Sequence, residues 1–122
     1  RGQWLKYSGI RQAASDPLPI GFTEAYVIEA LAGAMESFDP SVSTIFRHLE
    51  DREGVVVQRV TQDIQAIAAP IPVAQKLGIP RRAACLRILR CYYDRSGRLF
   101  ELAVNHHPGN RFASTMHIDV DI

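Results

Sequence analysis

A chain of 122 residues with 47 % hydrophobic and 22 % charged residues fits one domain around one core. Fourteen basic against thirteen acidic residues leave a net charge of +1, which excludes binding of nucleic acid or an anionic membrane through bulk charge. No apolar run approaches the roughly 18 to 20 residues of a membrane span and no basic-then-apolar leader precedes the first strand, so a cytoplasmic location without membrane contact is expected.

The first predicted element is a strand over 4–12, followed by turn chemistry from Ala13 to Pro17 and a second strand in which Leu18, Ile20, Phe22, Tyr26 and Ile28 repeat at period two. A short helical link follows. Asp39 and Pro40 then predict a helix start, Val42, Ile45, Phe46 and Leu49 its apolar stripe, and Gly54 its end. Val55 to Ala68 reads as a long strand whose many polar residues place it at an edge or crossing the sheet. Pro70 and Pro72 break the ladder, and Val73 to Leu77 form a short helix closed by Gly78. Ala84 to Tyr93 is a strand, Asp94 to Gly97 a hairpin turn, and Leu99 to His107 the next strand. The turn at Pro108 to Asn110 leads into a further strand over 111–120. Cys85 and Cys91 lie six apart in one strand, about 20 Å between Cα atoms, too far to pair. Five or six mostly antiparallel strands with helices packed on the sheet make an α+β fold. Neither a doubly wound order nor a glycine-rich phosphate loop occurs, and nothing points to a cofactor or metal.

Within the strand 99–107, alternation sends Phe100, Leu102, Val104 and His106 to a core face and Glu101, Ala103, Asn105 and His107 to the other. That second face is either an ordinary solvated sheet face or a site. Ala and Asn are poor strand formers, and a small residue between polar ones leaves a hollow of the kind that holds a small molecule. Arg111 is the nearest cation, read either as a partner for Glu101 or as a surface charge.

The run from Leu77 to Phe112, LGIPRRAACLRILRCYYDRSGRLFELAVNHHPGNRF, resembles the ligand-sensing UTRA domain of GntR-type, HutC-like bacterial transcription regulators. Upstream, TIFRHLEDREG from Thr44 to Gly54 and DPLPIGFTEAYV from Asp16 to Val27 resemble the same family, so the likeness covers nearly the whole chain, 1–122, as one domain. It implies a chorismate-lyase-like fold of about six strands, an effector held against the sheet, and a homodimer. It also implies a DNA-binding winged helix N-terminal to Arg1; the absence of an initiating Met suggests a piece of something longer. By the resemblance, Glu101 matches a carboxylate that accepts from the ligand, His107 and Phe46 match pocket tyrosines, and Thr44 matches a hydroxyl at the helix start. Arg11 matches an arginine for an anionic group, and Thr23 stands where the family has a carboxylate. With Asn105 and Arg111 these form the expected ligand-binding set. The alternatives are a chorismate-lyase-like enzyme, for which no catalytic constellation is present, and a dimerisation module without a ligand.

Overall fold

The computed structural model describes residues 3–12 and 18–120, and in it five strands pair antiparallel in the order β1-β2-β5-β4-β3. They are β1 (Trp4–Gln12), β2 (Pro19–Ile28), β3 (Val57–Ala68), β4 (Ala84–Asp94) and β5 (Leu99–Pro108). The predicted turn at 13–17 lies outside the described residues. β3 is an edge strand, as its polar sequence predicts, and β5 lies at the centre between β2 and β4. The β4–β5 turn closes on Asp94, whose carboxylate accepts from the Ser96 and Arg98 backbone N–H groups, while Gly97 takes the positive φ of 86° that the turn requires.

Residues paired across neighbouring strands share a face, so the register sorts the sheet into two sides. Val27, Glu101 and Tyr92 form one row; Ala25, Ala103 and Arg90 the next; Thr23, Asn105 and Ile88 a third. The first of these rows is covered by a 3₁₀ turn (Glu29–Leu31), α1 (Ala32–Met35) and α2 (Ile45–Glu53), which with Val27, Tyr92 and Phe100 enclose Leu31, Met35 and Leu49. α3 (Ile71–Leu77) covers the opposite side, packing Val73, Ala74 and Leu77 on Phe22 and Cys85. Each fully buried side chain such as Leu49, Leu77 or Phe100 contributes roughly 1.5–3 kcal/mol by leaving water.

Three expectations are corrected. The second helix begins at Ile45 with Thr44 as its N-cap, because Asp39 spends its carboxylate on the backbone N–H and hydroxyl of Ser41 in a local turn; Val42 stays exposed. Gly54 does end it, in the left-handed region at φ 68°. There is no sixth strand among the described residues: beyond the turn at 109–111 the chain has no regular structure, with Met116, Ile118 and Val120 exposed, since β2 and β4 already occupy both sides of β5 and leave no edge beside it.

The third correction concerns β5. Tyr92 pairs with Glu101 but Tyr93 pairs with Leu99, so Phe100 is an extra residue, a β-bulge. The bulge breaks the alternation and brings Phe100 into the cluster around Leu49, on the side where Glu101 also lies. That side, not the one with Leu102 and Val104, is the better buried. Glu101, Ala103 and His107 are buried while Leu102 and Val104 are only half-buried.

Truncating the bulged side chain empties the centre of that cluster. Phe100→Ala is expected to cost about 3–5 kcal/mol, read as a lower urea midpoint at unchanged slope.

Candidate functional site

On the side of the sheet covered by α1 and α2, adjoining rows of β2, β5 and β4 make a strip, the candidate trough, whose floor is small and polar. Ala25 and Ala103 lie side by side at its middle, and in the adjoining row the Thr23 hydroxyl donates to Asn105 Oδ1 at 2.5 Å. Ala25 and Ala103 are both buried, small residues between bulkier rows, and the row beside them supplies a hydroxyl and an amide. The two strand ends close this trough with different chemistry.

At one end stands Glu101, 4 % exposed, with Oε1 buried and without a hydrogen-bond partner. Burial pushes its pKa up to about 8. Its row neighbour Tyr92 stacks on Phe46 from α2 at 5.2 Å between ring centroids, and burial together with the nearby Glu101 charge raises the Tyr92 phenol. Phe46 is held there because α2 is pinned: His48 Nε2 donates to Ala34 O at 2.6 Å, and Leu49 is fully enclosed. Thr44 caps the same helix without using its side chain, so its hydroxyl stays exposed at the helix start.

At the other end lies His107. Its Nδ1–H donates to Ile20 O at 2.8 Å, and its ring stacks on Phe112 at 3.7 Å between centroids, nearly parallel. The ring lies directly over β2, where only Gly21 leaves space: a Cβ there would stand 2.9 Å from His107 Cε1 and Nδ1. Burial lowers the His107 pKa against the opposing effect of the Ile20 bond, and the charges of Arg11 and Arg90 lower it further. The imidazole is therefore neutral, with Nε2 left as an acceptor. Arg111 Nη1 donates to Pro19 O at 2.9 Å, which fastens the 109–112 turn to the start of β2. It is neither a partner for Glu101 nor a free surface charge. Exposed Arg11 lies on β1 opposite Gly21.

The eight sequence-derived residues fall into three groups by strand register and element position. Thr44, Phe46 and Glu101 stand at one end, Thr23 and Asn105 on the floor, and His107, Arg11 and Arg111 at the other. Six residues of strand, about 20 Å, separate Glu101 from His107, so the two bound the trough from opposite ends. Two residues escaped the sequence reading. Tyr92, taken as one apolar residue of β4, supports Phe46 and Glu101. Arg90 projects from the same face into the middle row, donates to Gln62 Oε1 at 2.6 Å, and its charge is felt by both Tyr92 and His107. Parity shows only that Arg90 and Tyr92 share a face; a regular hairpin would set them opposite Leu102 and Phe100, and it is the bulge at Phe100 that brings them opposite Ala103 and Glu101. Among the described residues no group of His, Cys, Asp and Glu is arranged to hold a metal ion, and Cys85 and Cys91 are both free thiols. An open depression of ≈ 420 Å³ elsewhere, lined by Ala66, Ala68, Ala84, Cys85 and Leu86 among others, carries no charged side chain and has none of the trough's polar convergence.

The profile of the UTRA domain family matches residues 8–113. The chain is 27 % identical over 109 residues to the HTH-type transcriptional repressor NagR of Bacillus subtilis (strain 168), a match covering 89 % of this chain and 44 % of that protein. It is 28 % identical over 105 residues to the HTH-type transcriptional regulator Rv0792c of Mycobacterium tuberculosis, covering 84 % and 39 %. The chain therefore spans less than half the length of these curated relatives. Among solved structures, a GntR-family transcriptional regulator from Enterococcus faecalis V583 superposes with a TM-score of 0.78 at 26 % identity, covering 94 % of this chain and 81 % of that one.

The buried carboxyl of Glu101 makes stability depend on pH in a defined direction. Its folded pKa of about 8 lies above the ordinary carboxylate range, so between about pH 4.5 and 8 the unfolded chain gives up a proton that the native state keeps. Stability is expected to fall across that window by at most roughly 5 kcal/mol and to level off above it. His106 and His107, both lowered by burial, act in the opposite sense near neutral pH, so the informative quantity is the difference from Glu101→Gln. Urea unfolding of the two proteins should show the variant gaining on the wild type between pH 5 and pH 8; parallel curves would mean that Glu101 is not shielded from water.

Proposed function

The chain belongs to the UTRA domain family, and from that membership we propose that it is the effector-sensing domain of a GntR-type, HutC-like transcriptional regulator, binding a small molecule in the trough of β2, β5 and β4. The observation that carries this reading is Glu101: a carboxyl oxygen buried without a partner is costly, and a ligand N–H or O–H placed against it relieves that cost. Thr23 and Asn105 then contact the middle of the ligand, Thr44 and Phe46 bound it from α2, and His107 offers Nε2 as an acceptor. Arg11 and Arg111 lie at the far end and Arg90 beside the floor, which favours an effector with an anionic group. A phospho-sugar with a tyrosine-lined grip fits less well, since Phe46 and His107 stand where phenols would.

In this reading the whole domain, 1–122, acts through a winged helix N-terminal to Arg1, works in the cytoplasm as a homodimer and performs no catalysis. The relatives are transcriptional regulators, and two-fold symmetry is what reading two half-sites requires. No helix of the described residues is long and apolar enough to cross a membrane.

Thermal shift against a panel of anionic metabolites tests the assignment: a hit stabilises the chain without being consumed, and turnover would instead favour the lyase-like alternative. Against that hit, Glu101→Gln is expected to weaken binding by roughly 1.5–3 kcal/mol, the worth of a hydrogen bond to a charged group. Wild-type affinity should rise with pH toward 8, because a carboxylate that accepts from the ligand must first lose its proton. Unchanged affinity in calorimetry would remove Glu101 from the site. The chain alone, at net charge +1 and with no recognition helix in the described fold, should give no sequence-specific mobility shift with operator DNA at physiological salt.

A further inference from the structure

We infer that the end of β3 and the start of β4 form a second binding groove, for an aliphatic carboxylate: an unbranched apolar chain with one anionic head. Two open depressions, of ≈ 420 and ≈ 330 Å³, meet there at Ala68. Long polar side chains occupy β3 as far as Gln65, and from Ala66 to Ile71 the sequence turns to AIAAPI. The register then sets Ala66 beside Leu86 and Ala68 beside Ala84, so one face of the strand ends is an apolar floor, with Ala66, Ala68 and Ala84 all exposed. Leu86 also pairs with His107, so the floor begins where the trough ends and runs away from it.

The far end of the groove is cationic. Arg81 and Arg82 line it, both exposed, and no acidic side chain does. Among the described residues neither guanidinium has an ion-pair or hydrogen-bond partner. Arg82 stands at φ 68°, in the left-handed region, where the other described residues are Gly54, Gly78 and Gly97. Its backbone is locked in place: Arg82 N–H donates to Ala69 O at 2.8 Å, and Ala69 N–H donates to Ala83 O at 2.9 Å. An arginine kept where glycine is easier carries a conformational cost, and such outliers collect at binding sites. Two fixed guanidiniums without a counter-charge complement an anionic head, and the floor beside them takes the chain. From Leu86 to Arg82 is four residues of extended backbone, about 13 Å, the reach of roughly eight to ten carbons. A polyanion such as nucleic acid would use the two charges and gain nothing from the floor.

Amide NMR of the full chain titrated with decanoate, below its micelle concentration, tests this. Saturable fast-exchange shifts are expected in Ala66–Ile71, Arg81–Leu86 and Gly109, with Thr23, Glu101 and Asn105 of the trough unmoved. Butanoate, a head with little chain, and decyltrimethylammonium, the same chain with a cationic head, should bind at least tenfold more weakly. Arg81→Ser with Arg82→Gly removes both charges and puts glycine at the left-handed position, so affinity for decanoate should fall at least tenfold while the melting temperature does not drop. Ala68→Phe, at an exposed position, should block the junction and abolish the shifts. Shifts centred on the trough or scattered over the surface, equal binding of either control, or wild-type affinity in the double variant overturns the groove assignment. So does a groove already filled in the free chain, seen as cross-peaks from Met116 or Ile118 to Ala68, or as movement of the same amides on dilution when a second copy fills it.

Discussion

The register of β5 between β2 and β4 is the constraint from which the rest of the molecule follows. A single extra residue at Phe100 lets one strand send a phenylalanine and a glutamate to the same side in succession. The phenylalanine anchors the packing of α1 and α2. Those elements, once seated, exclude water from the glutamate beside it. The core and the buried carboxyl are thus one arrangement, and neither arises without the bulge.

Burial of Glu101 has no structural return within the sheet. Its Oε1 has no donor, and its row neighbours Val27 and Tyr92 belong to the apolar cluster around Leu49. Buried polar groups are nearly always satisfied, and an exception is a reservoir of free energy that a ligand can draw on. His107 is the contrary case. It is buried too, yet its Nδ1 is bonded to Ile20, its face is stacked on Phe112, and its position is made possible by Gly21. One end of the trough is therefore preorganised and the other is left wanting a partner. A domain that reports occupancy needs such an asymmetry, because a site already satisfied when empty gains little on binding.

Cationic groups are distributed around the trough in the same spirit. Arg111 is tied to the β2 backbone, Arg90 to Gln62, and Arg11 stands exposed. The charges of Arg11 and Arg90 add to burial in lowering the His107 pKa. A neutral imidazole accepts at Nε2 rather than repelling donors, which is consistent with a ligand carrying hydroxyls or amides as well as an acidic group.

Much of this architecture is written in local sequence. Gly54, Gly78 and Gly97 mark helix ends and a turn because only glycine adopts the left-handed backbone readily; the polar composition of β3 marks an edge; and the unusual Glu, Ala, Asn and His of β5 set that face apart from an ordinary solvated one. What local sequence did not determine was which side of β5 is buried, since alternation holds only until a bulge intervenes, and the bulge is fixed by pairing with Tyr92 and Tyr93 of another strand. Nor did it determine that residues 112–120 stay irregular or that Arg90 and Tyr92 join the site. Those outcomes depend on which strand edges are already occupied and which residues fall opposite one another, and pairing across the sheet is a property of the assembled fold that no single segment carries.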